Sequence, residues 1–149
     1  MSRLAKPKRK SSFIDGSDLI LGRMASIVAK RLLNGEEITV LNAEHCVLSG
    51  HSKVDDKREF LEIRGLTNPS LGPKHPKRAD TFVRRTIRGM LPWRKSRGRM
   101  AFKRLKVYRG FPKEFDGIKL EKPSEANASR LRGPYLRVGD LIREIGRPT

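Results

Sequence analysis

The sequence predicts an α/β fold with a small, mostly parallel sheet, and three features of its first half carry that prediction. The elements run strand, helix, strand, strand, helix. The run Ile38-Thr39-Val40-Leu41 is β-branched and apolar, as suits a buried strand. Met24, Ile27, Val28 and Leu32 recur at helical spacing between the first two strands. Parallel strands need a crossover of this kind, whereas antiparallel ones can be joined by a tight turn.

Taken in order, residues 1–11 are rich in Lys and Arg, contain a proline, and read as a flexible basic arm. Residues 12–15 form a short strand ended by the turn signal Asp15-Gly16. Residues 22–34 form a helix, with Ala25 and Ala29 beside its apolar stripe and Gly35 as its stop. The strand at 37–42 follows, then a second at 46–48, closed by Gly50. Residues 52–66 fit a helix with Val54, Phe60 and Leu61 inward and Asp55, Asp56, Lys57 and Arg58 outward.

Beyond Leu66 the dipeptides Asn68-Pro69, Gly72-Pro73 and His75-Pro76 mark a loop. Residues 81–90 and 99–108 are each expected to be helical, broken at Leu91-Pro92. Phe82, Val83, Ile87, Met90, Leu91, Phe102, Leu105 and Val107 let this stretch pack. After Gly110-Phe111-Pro112 the chain loosens to Pro134, and residues 138–145 form a short docked helix ended by Gly146. The expected division is an arm at 1–11, an α/β core at 12–112 and a C-terminal extension at 113–149.

The charge is one-sided: 34 Lys and Arg against 16 Asp and Glu, a net +18 with a pI near 10.9. Self-repulsion of that size calls for a polyanionic partner, most commonly nucleic acid. The charge is also localised. Residues 74–109 hold fourteen cations and a single acid, Asp80, whereas residues 15–66 are near neutral. Arginines outnumber lysines there, and a guanidinium can grip a phosphate with two parallel hydrogen bonds. Gly89, Pro92 and Gly98 let the backbone turn and approach a phosphate or ribose. The candidate RNA-binding residues are therefore Lys74, His75, Lys77, Arg78, Arg84, Arg85, Arg88, Gly89, Arg94, Lys95, Arg97, Arg99, Lys103 and Arg104, with Lys8, Arg9 and Lys10 of the arm. Trp93, inside this run, either stacks on a base or ribose or anchors Pro92 against the core. With aromatics at only 6% of residues, binding through phosphates and shape is expected, rather than a sheet of rings reading splayed bases.

Other chemistries lack their residues. Between Gly16 and Gly22 the spacing and the missing lysine fail the phosphate-loop pattern. His45, Cys46 and His51 lack the spacing of a zinc site, and Cys46 reads as a small buried hydrophobe. Asp15 and Asp18 read as shaping a turn and a helix start rather than holding catalytic metals. A lone cysteine forms no internal disulfide. The basic N-terminus leads into Phe13-Ile14-Asp15-Gly16, unlike a secretory signal, and no apolar run is long enough to span a bilayer. A cytoplasmic protein without cofactor, catalytic residues, metal, membrane partner or small-molecule substrate is expected.

Ile14-Asp15-Gly16, Leu21-Gly22-Arg23-Met24-Ala25-Ser26 and Ala29-Lys30-Arg31-Leu32-Leu33-Asn34-Gly35 resemble the opening of the universal ribosomal protein L-thirteen family. Val40-Leu41-Asn42-Ala43-Glu44 with Leu48-Ser49-Gly50 resembles its next strand pair. Gly72-Pro73 and His75-Pro76-Lys77-Arg78-Ala79-Asp80 follow, and Arg84-Arg85-Thr86-Ile87-Arg88-Gly89-Met90-Leu91-Pro92 is similar to its most recognisable block. Arg97-Gly98, Ala101 and residues 105–112 also fit. The I-D-G opening and the absence of an insertion after the first helix resemble the archaeal and eukaryotic branch, and the short C-terminal extension favours the archaeal type. Met24 and Asn34 depart from the residues expected there, and family signal fades after Pro112.

The resemblance implies a three-layer α/β/α core, assembly into the large ribosomal subunit through large-subunit rRNA, neighbouring ribosomal proteins, and no catalysis. The competing readings are an RNA-processing enzyme, such as a nuclease or modifying transferase, and an RNA-binding regulator acting off the ribosome.

Overall fold

Alternation along the first strand decides what the sheet buries. In the computed structural model, which describes residues 10–50 and 76–146, β1 (Ser11–Asp15) turns Ser12 and Ile14 inward and Phe13 outward. It pairs in parallel with β2 (Glu37–Leu41), setting Ile14 opposite Val40. The connection is helix α1 (Leu21–Leu33), which buries Leu21, Met24, Ala25, Val28, Ala29 and Leu32 along one stripe. Gly35, at φ +99°, stops it in a conformation that glycine adopts without strain. Short strand β3 (Val47–Ser49) comes next, after a turn of 3-10 helix at Ala43–His45.

Helix α2 (Ala79–Gly89) buries Ala79, Val83 and Ile87 four residues apart, and α3 (Ser96–Lys103) buries Gly98 and Ala101. Strand β4 (Leu105–Val107) then joins the sheet in parallel beside β2, with Leu105 opposite Ile38. The order β1-β2-β4 makes a small parallel sheet with helices packed on its Ile14, Ile38, Val40 and Leu105 face, the α/β fold expected. Its other face carries Phe13, with Phe115 packed on it at 5.4 Å between ring centres. Each fully buried Leu, Ile or Val contributes about 1.5–3 kcal/mol.

The C-terminal residues tie into this core. Glu121 donates its N–H to the Phe13 carbonyl at 2.8 Å and accepts from Asp15 at 3.1 Å, covering the outer edge of β1. Arg31 of α1 spans the same corner, with Ser12 Oγ at 2.7 Å, Glu36 at 2.9 Å and Glu121 at 2.7 Å. Strand β5 (Tyr135–Arg137) pairs antiparallel with β3, and α4 (Val138–Gly146) follows directly. Leu136 and Leu141 are buried there, beside Leu48 and Phe82.

Two expectations need correcting and one falls outside the described residues. Residues 99–108 are not one helix: α3 ends at Lys103 and Leu105–Val107 is the third strand of the parallel sheet. Three residues are too few for strand alternation to stand out, and pairing to β2 decides their conformation. The strand expected at 46–48 exists one residue later, in the separate antiparallel pair rather than the parallel sheet. The helix expected at 52–66 lies outside the described residues.

Gly98 is where α3 meets the turn before it, and a Cβ there would collide with the Pro92 carbonyl. Gly98→Ala is expected to destabilise the fold by about 1–3 kcal/mol, read as a lower urea midpoint, because backbone cannot yield as a flexible side chain can. Gly89→Ala, at a position with nothing within 4 Å, is the matched control and should leave the midpoint nearly unchanged.

Candidate nucleic-acid interface

The apolar stripe of α2 determines where its charges go. With Ala79, Val83 and Ile87 buried, Arg84, Arg85 and Arg88 stand exposed on the opposite side. The chain then turns through Leu91-Pro92-Trp93, with Leu91 buried, and presents Arg94, Lys95, Arg97, Arg99 and Lys103, all exposed, along and before α3. Leu105 and Ala101 hold this second run to the same core.

Three aromatic contacts link the two runs. The Arg84 guanidinium carbon lies 4.6 Å from the centre of the Phe102 ring, and that of Arg88 lies 4.0 Å from Trp93. Trp93 and Phe102 meet edge to face at 5.2 Å. Trp93 thus packs within the basic segment, with Arg88 already over its ring.

Some expected contact residues serve the fold. Arg104 is half-buried and donates to the Leu32 carbonyl at 2.6 Å, and Arg97 donates to the Leu33 carbonyl at 3.3 Å. Both satisfy carbonyls at the C-terminal end of α1, where cations also complement the helix dipole. Arg78 is exposed and pairs with Asp80 at 2.9 Å. Gly98 serves an internal close approach, whereas Gly89 ends α2 in open surroundings, as an approach from outside requires.

Lys77 is exposed at the entry to α2. Lys10, also exposed, precedes Ser11, and Ser11 lines a cleft of about 570 Å³ together with Lys103, Arg104 and Lys106. Lys8, Arg9, Lys74 and His75 lie outside the described residues. Sequence reasoning passed over Lys106 as a cleft residue and took Phe102 only as a packing residue. No one-dimensional signal separates an aromatic that packs on core from one that packs on arginine.

The carboxyl ends of the parallel strands, where open α/β sheets commonly bind ligands, are occupied by the protein itself. A Cβ on Gly16 would stand 2.9 Å from both Cys46 Sγ and the Leu41 carbonyl oxygen. Asp15 accepts from the Ser17 N–H at 3.0 Å and Asn42 Nδ2 at 2.9 Å, and pairs with Lys122 at 3.2 Å. Asp18 pairs with Arg137 at 3.0 Å. Burial pushes the Cys46 thiol up to about 12, with the Asp15 charge adding to it, so the sulfur stays protonated at neutral pH. Among the described residues no group of three or more His, Cys, Asp or Glu is placed to hold a metal ion.

Comparison with known proteins gives the family. Residues 9–114 match the family model described as Ribosomal protein L13. The chain belongs to the ribosomal protein L13 family. Its relatives place it with the archaeal type. It is 44% identical over 134 residues to the large ribosomal subunit protein uL13 of Methanococcoides burtonii, covering 89% of this chain and 96% of that one. With the uL13 of Methanosphaera stadtmanae it shares 45% over 138 residues, 91% of this chain and 96% of the relative. With that of Aeropyrum pernix it shares 38% over 146 residues, 96% and 94% of the two chains. The L13 family comprises structural ribosomal proteins, not enzymes, and the family match takes in the whole basic segment.

Asp15 offers a check on how this L13 fold is closed at its strand ends. Burial raises its pKa, but the hydrogen bonds from Asn42, Ser17 and Lys122 outweigh that, and the net shift is downward from 3.8. A lowered folded pKa means stability that is fully present above the unfolded value and lost as pH falls through the folded one. Asp15→Asn should therefore be less stable than the parent at pH 7. The difference should shrink steadily as pH drops below about 4 in paired urea titrations, because the parent loses its charge there.

Proposed function

We propose that the chain is a structural constituent of the large ribosomal subunit in the cytoplasm, and that it binds large-subunit rRNA chiefly through backbone phosphates. The observation that carries this reading is the exposed row Arg84, Arg85 and Arg88 on a helix whose other side is buried in the core. Arg94, Lys95, Arg99 and Lys103 extend it, and Lys77, Gly89 and Lys10 flank it. The relatives' names point to the large subunit, and the charge pattern points to RNA as the partner within it.

In this mechanism the α/β core is a platform, and the segment from Lys74 to Arg109 is its contact surface. Each phosphate neutralised releases condensed counterions, so affinity falls with salt. Contacts of this kind position the protein on RNA shape and carry little base information. Arg104 and Arg97 contribute differently: bonded to α1 carbonyls, they fix the platform beneath the contacts. Lys8, Arg9, Lys74 and His75 belong to the same reading on charge and position in the sequence. Neighbouring ribosomal proteins contact the faces the RNA leaves open.

Replacing Arg84, Arg85 and Arg88 together by Ala is expected to weaken binding to archaeal large-subunit rRNA. The slope of log affinity against log salt should fall by about one for each phosphate that is no longer neutralised. The fold should survive, with a loss of stability no larger than that of two exposed cation–π contacts, about 0.5–1 kcal/mol each. Unchanged affinity and slope in a filter-binding titration would remove these residues from the interface.

A further inference from the structure

Arg84 and Arg88 stand one helical turn apart on the outer side of α2. Each guanidinium lies over an aromatic ring supplied by the following segment, Phe102 at 4.6 Å and Trp93 at 4.0 Å. The two rings brace one another edge to face at 5.2 Å. The four side chains make one continuous array, and Gly98, pressed against Pro92, sets the position of the helix that brings Phe102 into it.

A cation over a ring uses none of its N–H donors for that contact. Among the described residues neither guanidinium carries a hydrogen bond or ion pair, whereas Arg97 and Arg104 are bonded to α1 carbonyls and Arg78 to Asp80. Arg84 and Arg88 are thus restrained in position with their donors unspent, as suits a bidentate anionic acceptor from outside. A long side chain normally loses rotamer freedom when it binds, and prior restraint removes part of that loss.

Resting on the rRNA-binding reading above, we infer that Trp93 and Phe102 are positioning residues for RNA: they hold Arg84 and Arg88 at a fixed spacing for neighbouring phosphates of one strand. Trp93 acts through Arg88 and not as a stacking platform for a base. A base stacked on the same face would have to displace the guanidinium already over the ring.

The test is a double-mutant cycle in the full chain, read by filter binding to an archaeal large-subunit rRNA transcript at 25 °C. Arg88→Ala is expected to weaken binding. Trp93→Leu should weaken it about two- to five-fold, the scale of an exposed cation–π contact. In the Arg88→Ala background Trp93→Leu should add nothing, because the residue it positions is gone. Trp93→Phe keeps a ring and should retain most of the affinity. Arg88→Lys keeps the charge at an exposed position that does not threaten the fold, and should still lose affinity because an ammonium cannot form the fork.

An equal loss from Trp93→Leu in both backgrounds would overturn the inference, since the indole would then touch RNA itself. Wild-type affinity in Trp93→Leu, with Arg88→Ala still weakened, would overturn it while leaving the RNA-binding surface in place. Wild-type affinity in Arg84→Ala and Arg88→Ala would remove the surface assignment and the inference with it.

Discussion

The burial of Val83 and Ile87 beneath α2 is the interaction on which the surface depends. Like charges four residues apart on a helix destabilise it by about 0.2–0.5 kcal/mol a pair. Each buried branched side chain contributes about 1.5–3 kcal/mol. Packing therefore outweighs the repulsion among Arg84, Arg85 and Arg88, and the helix forms without an anion to neutralise it. Leu91, Ala101 and Leu105 repeat the arrangement along the rest of the basic segment. The cations are displayed by a folded body and not by a tail that must be ordered on contact.

The same residue types are put to two uses. Arg31, Arg97, Arg104, Lys122 and Arg137 hold the fold together, bonded to helix carbonyls or to acids. Among the described residues, Arg84 and Arg88 are held by rings alone. Charge that closes the structure and charge that faces outward are thus separated by what each guanidinium touches. Asp15 and Asp18 fall on the structural side of that division, with their carboxylates bonded within the fold.

Much of this was legible in the sequence wherever a pattern runs long enough. The stripe from Met24 to Leu32 marks α1, the β-branched run marks β2, and the fourteen cations of residues 74–109 mark the basic surface. Two of the three-residue strands were not legible. Leu105–Val107 and Tyr135–Arg137 are strands because a neighbouring strand supplies their hydrogen bonds, and three residues display no period of their own. Within the candidate site, composition could nominate arginines but could not separate Arg104, turned to a carbonyl, from Arg88, seated on a ring. That distinction arises only when residues far apart in the chain, such as Leu32 and Arg104, come together.

On this reading the cationic surface stands folded before RNA arrives. Amide hydrogen exchange of the free chain at low salt tests it most directly. The α2 amides around Val83 and Ile87 should be protected to a degree comparable with those of α1 around Val28, because both helices are sealed by the same core. Exchange of the α2 amides at the rate of an unfolded chain, with α1 still protected, would contradict it, and would mean that the RNA itself folds the segment that binds it.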